Sequence, residues 1–262
     1  MRPVLFTIFG LDIQSYGVSK AAAAVIAAWL LGLAFERRGL NKDSAHTLVL
    51  WAAVWGFVGA KIYYLLEQYP MISLHDLGGM GFTWYGGLLG GTAAALVVVR
   101  RHHLPLPIVA GAAALPLTVA YGIGRIGCLI SGDGTYGSPT DLPWAMAFPT
   151  GVVATDVPVH PAPLYEAAAA VLIAAALLYV GRRWRPWAVF GAYLALSGLS
   201  RLLVEFVRIN DPVLLGLTQP QLWALASLAL GLSLILQTRR PGMRTVQPPR
   251  ATPLPAASSS SR

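Results

Sequence analysis

Seven runs of mostly apolar residues, each near the length that a helix needs to cross a bilayer, govern what this chain can become. They cover about Ser19–Phe35, Ala45–Leu66, Phe82–Val99, Leu104–Ile123, Pro163–Val180, Trp187–Phe206 and Leu217–Leu236, and charges, glycine or proline bound each one. A spanning helix takes about 20 such residues, because in lipid every backbone N–H and C=O must be satisfied within the segment. With 56% hydrophobic residues, 11% charged and a mean hydropathy of +0.61, the chain is too apolar for an ordinary soluble domain. The expectation is an all-α integral membrane protein of about seven transmembrane helices, with a long exterior loop between spans 4 and 5. Matching halves are not visible, so residues 1–240 read as one transmembrane domain. Residues 241–262, rich in Pro, Ser and Thr, read as a disordered cytoplasmic tail.

Charge orients the bundle. The joints 36–43, 100–103 and 181–186 and the tail after Gln237 carry 13 of the 19 lysines and arginines, and with seven spans all four fall on one side. The positive-inside rule makes that side cytoplasmic. The N-terminus, the 67–81 joint, the 124–162 loop and the 208–216 joint are then outside. The opening MRPVLFTIFGLDIQSYG has no small-residue cleavage site and reads poorly as a secretory signal. A single cysteine excludes an intramolecular disulfide framework and any multi-cysteine metal site.

The stretch Gly124–Gly137, GRIGCLISGDGTYG, holds five glycines, an arginine, an aspartate and that cysteine. Glycine at this density predicts a shaped loop in place of a continuing helix, with Arg125 where the apolar core meets a polar pocket. Ionisable groups within or at the edge of a bilayer are costly, which makes Lys61, Arg125, Glu166, Arg201 and Glu205 functional candidates. Arg201, Glu205 and Arg208 recur at i, i+4 and i+7 and stack on one helical face. An internal ion pair is the plain account of them. Two arginines against one carboxylate nevertheless leave a positive charge that calls for an anion, and guanidinium forks suit phosphate. In a membrane the obvious phosphate is a phospholipid headgroup.

Three further residues carry two readings each. His160, beside the start of span 5, is either structural or a proton carrier, since histidine titrates near neutrality. Tyr85 is either an interfacial anchor or a hydrogen-bond donor in the pocket. Cys128 is a small apolar residue packed under the loop, or else a nucleophile carrying a lipid group. The glycines Gly86, Gly87, Gly90 and Gly91 are read as helix-packing residues.

Several segments in order, Ser15–Gly17, Gly59–Tyr64, Tyr85–Gly90, Gly124–Gly127, Pro143–Pro149, His160–Glu166, then Arg201, Glu205, Arg208, Thr218 and Gln221, resemble the prolipoprotein diacylglyceryl transferase family. The resemblance implies transfer of a diacylglyceryl group from phosphatidylglycerol to the lipobox cysteine of a preprolipoprotein, releasing glycerol phosphate. It implies a site at the outer face of a bacterial inner membrane, with no cofactor and no nucleic-acid partner. It assigns Arg125, Arg201, Tyr85 and Glu205 to catalysis and Tyr16, Cys128, Asp133, Gly137, His160 and Arg208 to substrate binding. The family usually has His at Tyr85, Asn at Cys128 and Glu near Asp133. A phenol is a poor base at neutral pH, so the group that ionises the thiol stays open among Tyr85, His160, Asp133 and Glu205. The alternatives are a relative that modifies another acceptor or only binds phospholipid, and a transporter.

Overall fold

The computed structural model describes residues 1–70 and 81–239. The 241–262 tail and most of the 67–81 joint lie outside the described residues.

Helices form at all seven apolar runs: α1 (Ser15–Glu36), α2 (Lys42–Gln68), α3 (Trp84–Arg101), α4 (Leu106–Ser131), α5 (Ala162–Val180), α6 (Pro186–Glu205) and α7 (Gln219–Arg239). Six are long and apolar enough to cross a membrane by length and composition. The shortest, α3, has 18 residues with four glycines and two terminal arginines, and it lies along α2. The chain is thus an all-α, multi-pass membrane protein. Its large exposed apolar residues, such as Trp51, Trp55 and Phe57 on α2, face what lipid would cover.

Starts and stops follow local chemistry. Proline occupies the first turn of α4, α5 and α6, where the missing N–H costs nothing. The Asn41 side chain accepts from the Asp43 N–H and caps α2. Gly132, at φ +60°, ends α4 in the left-handed region that glycine enters freely.

Lipid offers little hydrophobic gain for helix association, so close approach through small residues dominates the packing. On α3, Gly86, Gly87, Gly90 and Gly91 meet the α2 backbone between Ala52 and Gly59. Gly191 and Gly198 on α6 meet Gly231 and Ala224 on α7 in the same manner. α4 is central and packs against α1, α5 and α6. At the Arg-rich end Leu31, Phe35, Ala45, Leu48, Val98, Val99, Val109 and Ala112 draw α1 to α4 into one buried cluster.

The structure corrects the sequence expectation in three places. First, Gly124–Gly137 is not a loop throughout, because α4 continues to Ser131 and Arg125 is a helical residue. The reason is that Gly124 and Gly127 face Lys20 and Ser19 of α1, so they are packing glycines; of the five only Gly132 and Gly134 have positive φ. Second, α6 stops at Glu205, and Arg208 sits beyond it in tight turns. Third, among the described residues the N-terminal segment and the joints at the site end hold three two-stranded hairpins: β1 (Val4–Ile8) with β2 (Leu11–Gln14), β3 (Met146–Phe148) with β4 (Thr155–Val159), and β5 (Pro212–Leu214) with β6 (Leu217–Thr218). The first turns through Phe9-Gly10 and the third through Leu215-Gly216, with positive φ at both residues of each turn.

Candidate active site

Helix geometry brings the site residues to one depth. At 1.5 Å per residue, Arg125, Glu166 and Arg201 all lie roughly 6 to 9 Å inside the ends of α4, α5 and α6. Their side chains converge there on two carboxylates with no exposed side-chain surface.

Glu166 is the hub. Its Oε1 accepts from Arg201 Nη1 at 2.9 Å and from the Tyr121 hydroxyl at 2.6 Å. Its Oε2 is 3.2 Å from Arg125 Nε and 3.7 Å from Arg208 Nη1. Glu205 takes Arg201 Nη2 on Oε2 at 2.7 Å, one turn along the same helix. Its Oε1 accepts from Asn210 and from the Thr218 hydroxyl, the latter at 2.9 Å. Thr218 and Gln221 bond reciprocally, fixing the start of α7 beside this carboxylate. Three guanidinium groups against two carboxylates leave one positive charge in a largely buried cluster.

The segment between α4 and α5 closes over this layer through its backbone. Gly137 N–H donates to the His160 carbonyl at 2.8 Å, and His160 N–H donates to the Ser138 carbonyl at 3.0 Å. Ser138 N–H reaches the Val207 carbonyl, and Arg208 Nη1 donates to the Thr135 carbonyl at 2.8 Å. A side chain at Gly137 would run into the Val207 carbonyl, which accounts for glycine there. Burial holds the Arg208 guanidinium below its ordinary pKa, and Arg201 pushes the same way, while Glu166 and Glu205 oppose them. The His160 ring meets the Tyr165 hydroxyl through Nδ1 at 3.2 Å, and that hydroxyl also accepts from Trp144 Nε1 at 2.8 Å.

Other sequence-selected residues stand around the cluster. Tyr85, in the first turn of α3, packs among Tyr63, Trp84 and Trp223, close enough to Arg201 to feel its charge. Asp133 is held locally by the Thr135 N–H and hydroxyl at 3.2 and 2.6 Å. Cys128 is buried on the α4 face that meets α1. Tyr16 is 40% exposed at the start of α1.

The sequence marked Glu166 as a costly charge without a role and did not single out Tyr121 or Asn210. Tyr121 was legible, since it precedes Arg125 by one helical turn, and the Arg125 guanidinium lies 4.9 Å from the centre of its ring. Asn210 was not, because its contact with Glu205 depends on how the chain turns after α6.

Comparison with known proteins points the same way. A family model described as prolipoprotein diacylglyceryl transferase matches residues 3–237. A protein of Geobacter sulfurreducens named phosphatidylglycerol–prolipoprotein diacylglyceryl transferase is 34% identical over 256 residues, covering 91% of this chain and 96% of the relative. Proteins of the same name from Clostridium tetani and Idiomarina loihiensis are each 32% identical, covering 81% and 91% of this chain and 87% and 93% of the relatives. With a match across nearly its whole length, this chain belongs to the prolipoprotein diacylglyceryl transferase family.

Proposed function

We propose that the chain transfers the diacylglyceryl group of phosphatidylglycerol to the lipobox cysteine thiol of a preprolipoprotein, releasing glycerol phosphate. One observation carries the reading beyond family membership: arginines from α4, α6 and the following turn converge on two buried carboxylates with one positive charge in excess. That excess suits a phosphodiester, which carries one negative charge. Arg125, Arg201 and Arg208 hold the phosphate, and Glu166 and Glu205 orient them. Residues 1–240 act as one transmembrane domain in a bacterial inner membrane, with the N-terminus and this site outside and the basic joints and 241–262 tail cytoplasmic.

The reaction is displacement at carbon. The thiolate forms a C–S bond to the glyceryl carbon, the C–O bond to phosphate breaks, and the electron pair leaves on the phosphate. The thiol proton needs an acceptor, since an ordinary thiol is mostly protonated at neutral pH. Glu166 and Glu205 are committed to arginines and Asp133 to Thr135. A phenol such as Tyr85 is a weak base. His160 takes the proton, because its Nε2 has no hydrogen-bond partner among the described residues and Tyr165 positions the ring from the other nitrogen. Tyr16 and Tyr85 line the lipid and peptide path, and the buried Cys128 and Gly137 support its wall from beneath.

The test is incubation of the purified protein with phosphatidylglycerol and a lipobox peptide, read by mass spectrometry. A peptide heavier by one diacylglyceryl group supports the reading. An unmodified peptide, with an active transferase of the family working in parallel, overturns it in favour of phospholipid binding or another acceptor.

A further inference from the structure

Lys20 is the only charged residue of α1 before its final Glu36, and it lies about 7.5 Å inside the helix from Ser15, at the depth of the arginine cluster. Its side chain turns toward α4. The ammonium Nζ lies over the Tyr16 ring, 4.9 Å from its centre, and stands 3.2 Å from where a side chain on Gly124 would begin. It is near enough to Cys128 for the two to interact electrostatically. Gly124 directly precedes Arg125, so the close approach of α1 that this glycine permits brings a fourth cation to the same turn of α4. Lys20 forms no ion pair among the described residues, and its surface is exposed.

Charge conservation along the proposed reaction gives this lysine a task. The phosphodiester enters with one negative charge, matching the excess of three guanidiniums over two carboxylates. When the C–O bond breaks, the electron pair goes to the phosphate, and the departing glycerol phosphate is a monoester of nearly two negative charges near neutral pH. The thiol proton balances the total charge on His160, but at the leaving phosphate itself the arginine cluster alone is one charge short for that product. A charge that develops during bond breaking is best met by a cation already in place.

We infer that Lys20 is a further substrate-binding residue, which supplies the second positive charge to the departing glycerol phosphate from the α1 side of the site. The inference rests on the diacylglyceryl transfer proposed above. An ordinary membrane lysine, snorkelling to the surface, would serve anchoring alone.

Two measurements on the detergent-solubilised full chain separate these roles, each with the native protein, Lys20→Met and Lys20→Arg. The first is turnover with phosphatidylglycerol and a lipobox peptide. Lys20→Met is expected to lower kcat about tenfold or more with little change in KM, and Lys20→Arg to restore most of it. The second is direct calorimetric binding of glycerol phosphate, expected to weaken at least several-fold in Lys20→Met and to survive in Lys20→Arg. Equal kcat and equal binding in Lys20→Met overturn the inference, as does Lys20→Arg failing as badly as Lys20→Met while its unfolding temperature is native. Absence of turnover in the native chain sinks the transferase reading; the binding comparison still decides whether Lys20 meets the anion.

Discussion

Arg125 and Arg201, from different helices, meet on a single carboxylate: Glu166 takes Arg201 on Oε1 at 2.9 Å and Arg125 on Oε2 at 3.2 Å. Removing that charge leaves both guanidiniums facing each other in a largely buried place. Breaking a buried pair from one side typically costs about 3 to 5 kcal/mol. Glu166→Gln, close to isosteric, is therefore expected to lower the thermal unfolding midpoint of the solubilised protein markedly and to abolish transfer. A native midpoint would show that the carboxylate is not the hub.

If the guanidiniums hold phosphate as the bond breaks, their loss falls on turnover, with an added cost to the fold because a buried carboxylate loses a partner. Arg125→Ala and Arg201→Ala are each expected to reduce transfer about 10²- to 10³-fold, the range seen when one preorganised donor to a developing anion is removed. Lysine at either position should recover only part, since it has no planar fork. Rescue of a strain depleted of its own transferase checks this directly. Full rescue by Arg125→Ala would remove Arg125 from the site.

Cys128 tests a different point. It is buried against α1, with the electrostatic company of Lys20 and Asp133. Read as packing, Cys128→Ser keeps the volume and should retain most turnover, with a modest loss of stability from the buried hydroxyl. A covalent lipid carrier would lose all turnover, and a trapped diacylglyceryl adduct on the native protein would show it by mass.

Gly86 adjoins Tyr85 and presses its backbone on Gly59 of α2. A methyl group there has no room, and forcing one into a packed contact costs typically about 1 to 3 kcal/mol. Gly86→Ala is expected to lower the unfolding midpoint and, by shifting Tyr85 away from Trp223, to reduce transfer as well. Gly17→Ala, at a position with nothing within 4 Å, is the control that should change neither.

The helices were legible because apolar length in a bilayer leaves a segment few other structures; six of the seven predicted runs have their helix within a few residues, and the fourth, expected to end at Ile123, continues to Ser131. The cationic character of the site was legible in Arg201 and Glu205, which one helical turn joins. What the sequence could not convey is which glycines bend and which pack. Gly124 and Gly127 look the same in sequence as Gly132 and Gly134, yet the first two are dictated by Ser19 and Lys20 of a distant helix. The Glu166 hub was hidden for the same reason, since its partners come from α4, α6 and the turn after α6. The first and third hairpins were missed because their signal is two residues long: Phe9-Gly10 and Leu215-Gly216 turn the chain where only an apolar residue followed by glycine is written.

The thiol proton provides the sharpest chemical test of the site. His160 keeps Nδ1 on the Tyr165 hydroxyl, and its backbone is tied to Gly137 and Ser138, so the ring is held in place from two directions. Glutamine at this position preserves a polar side chain of similar reach but accepts no proton. His160→Gln is expected to lower kcat about 10²-fold, the usual worth of a positioned general base, with KM for the peptide little changed. Tyr165→Phe removes the hydroxyl that orients the imidazole and should give a smaller loss of the same kind. Asp133→Asn should do little, because that carboxylate serves Thr135. Should His160→Gln turn over normally while Tyr85→Phe is inactive, the proton goes to the phenol instead, and the aromatic cluster of Tyr63, Trp84 and Trp223 around Tyr85 becomes the environment to explain.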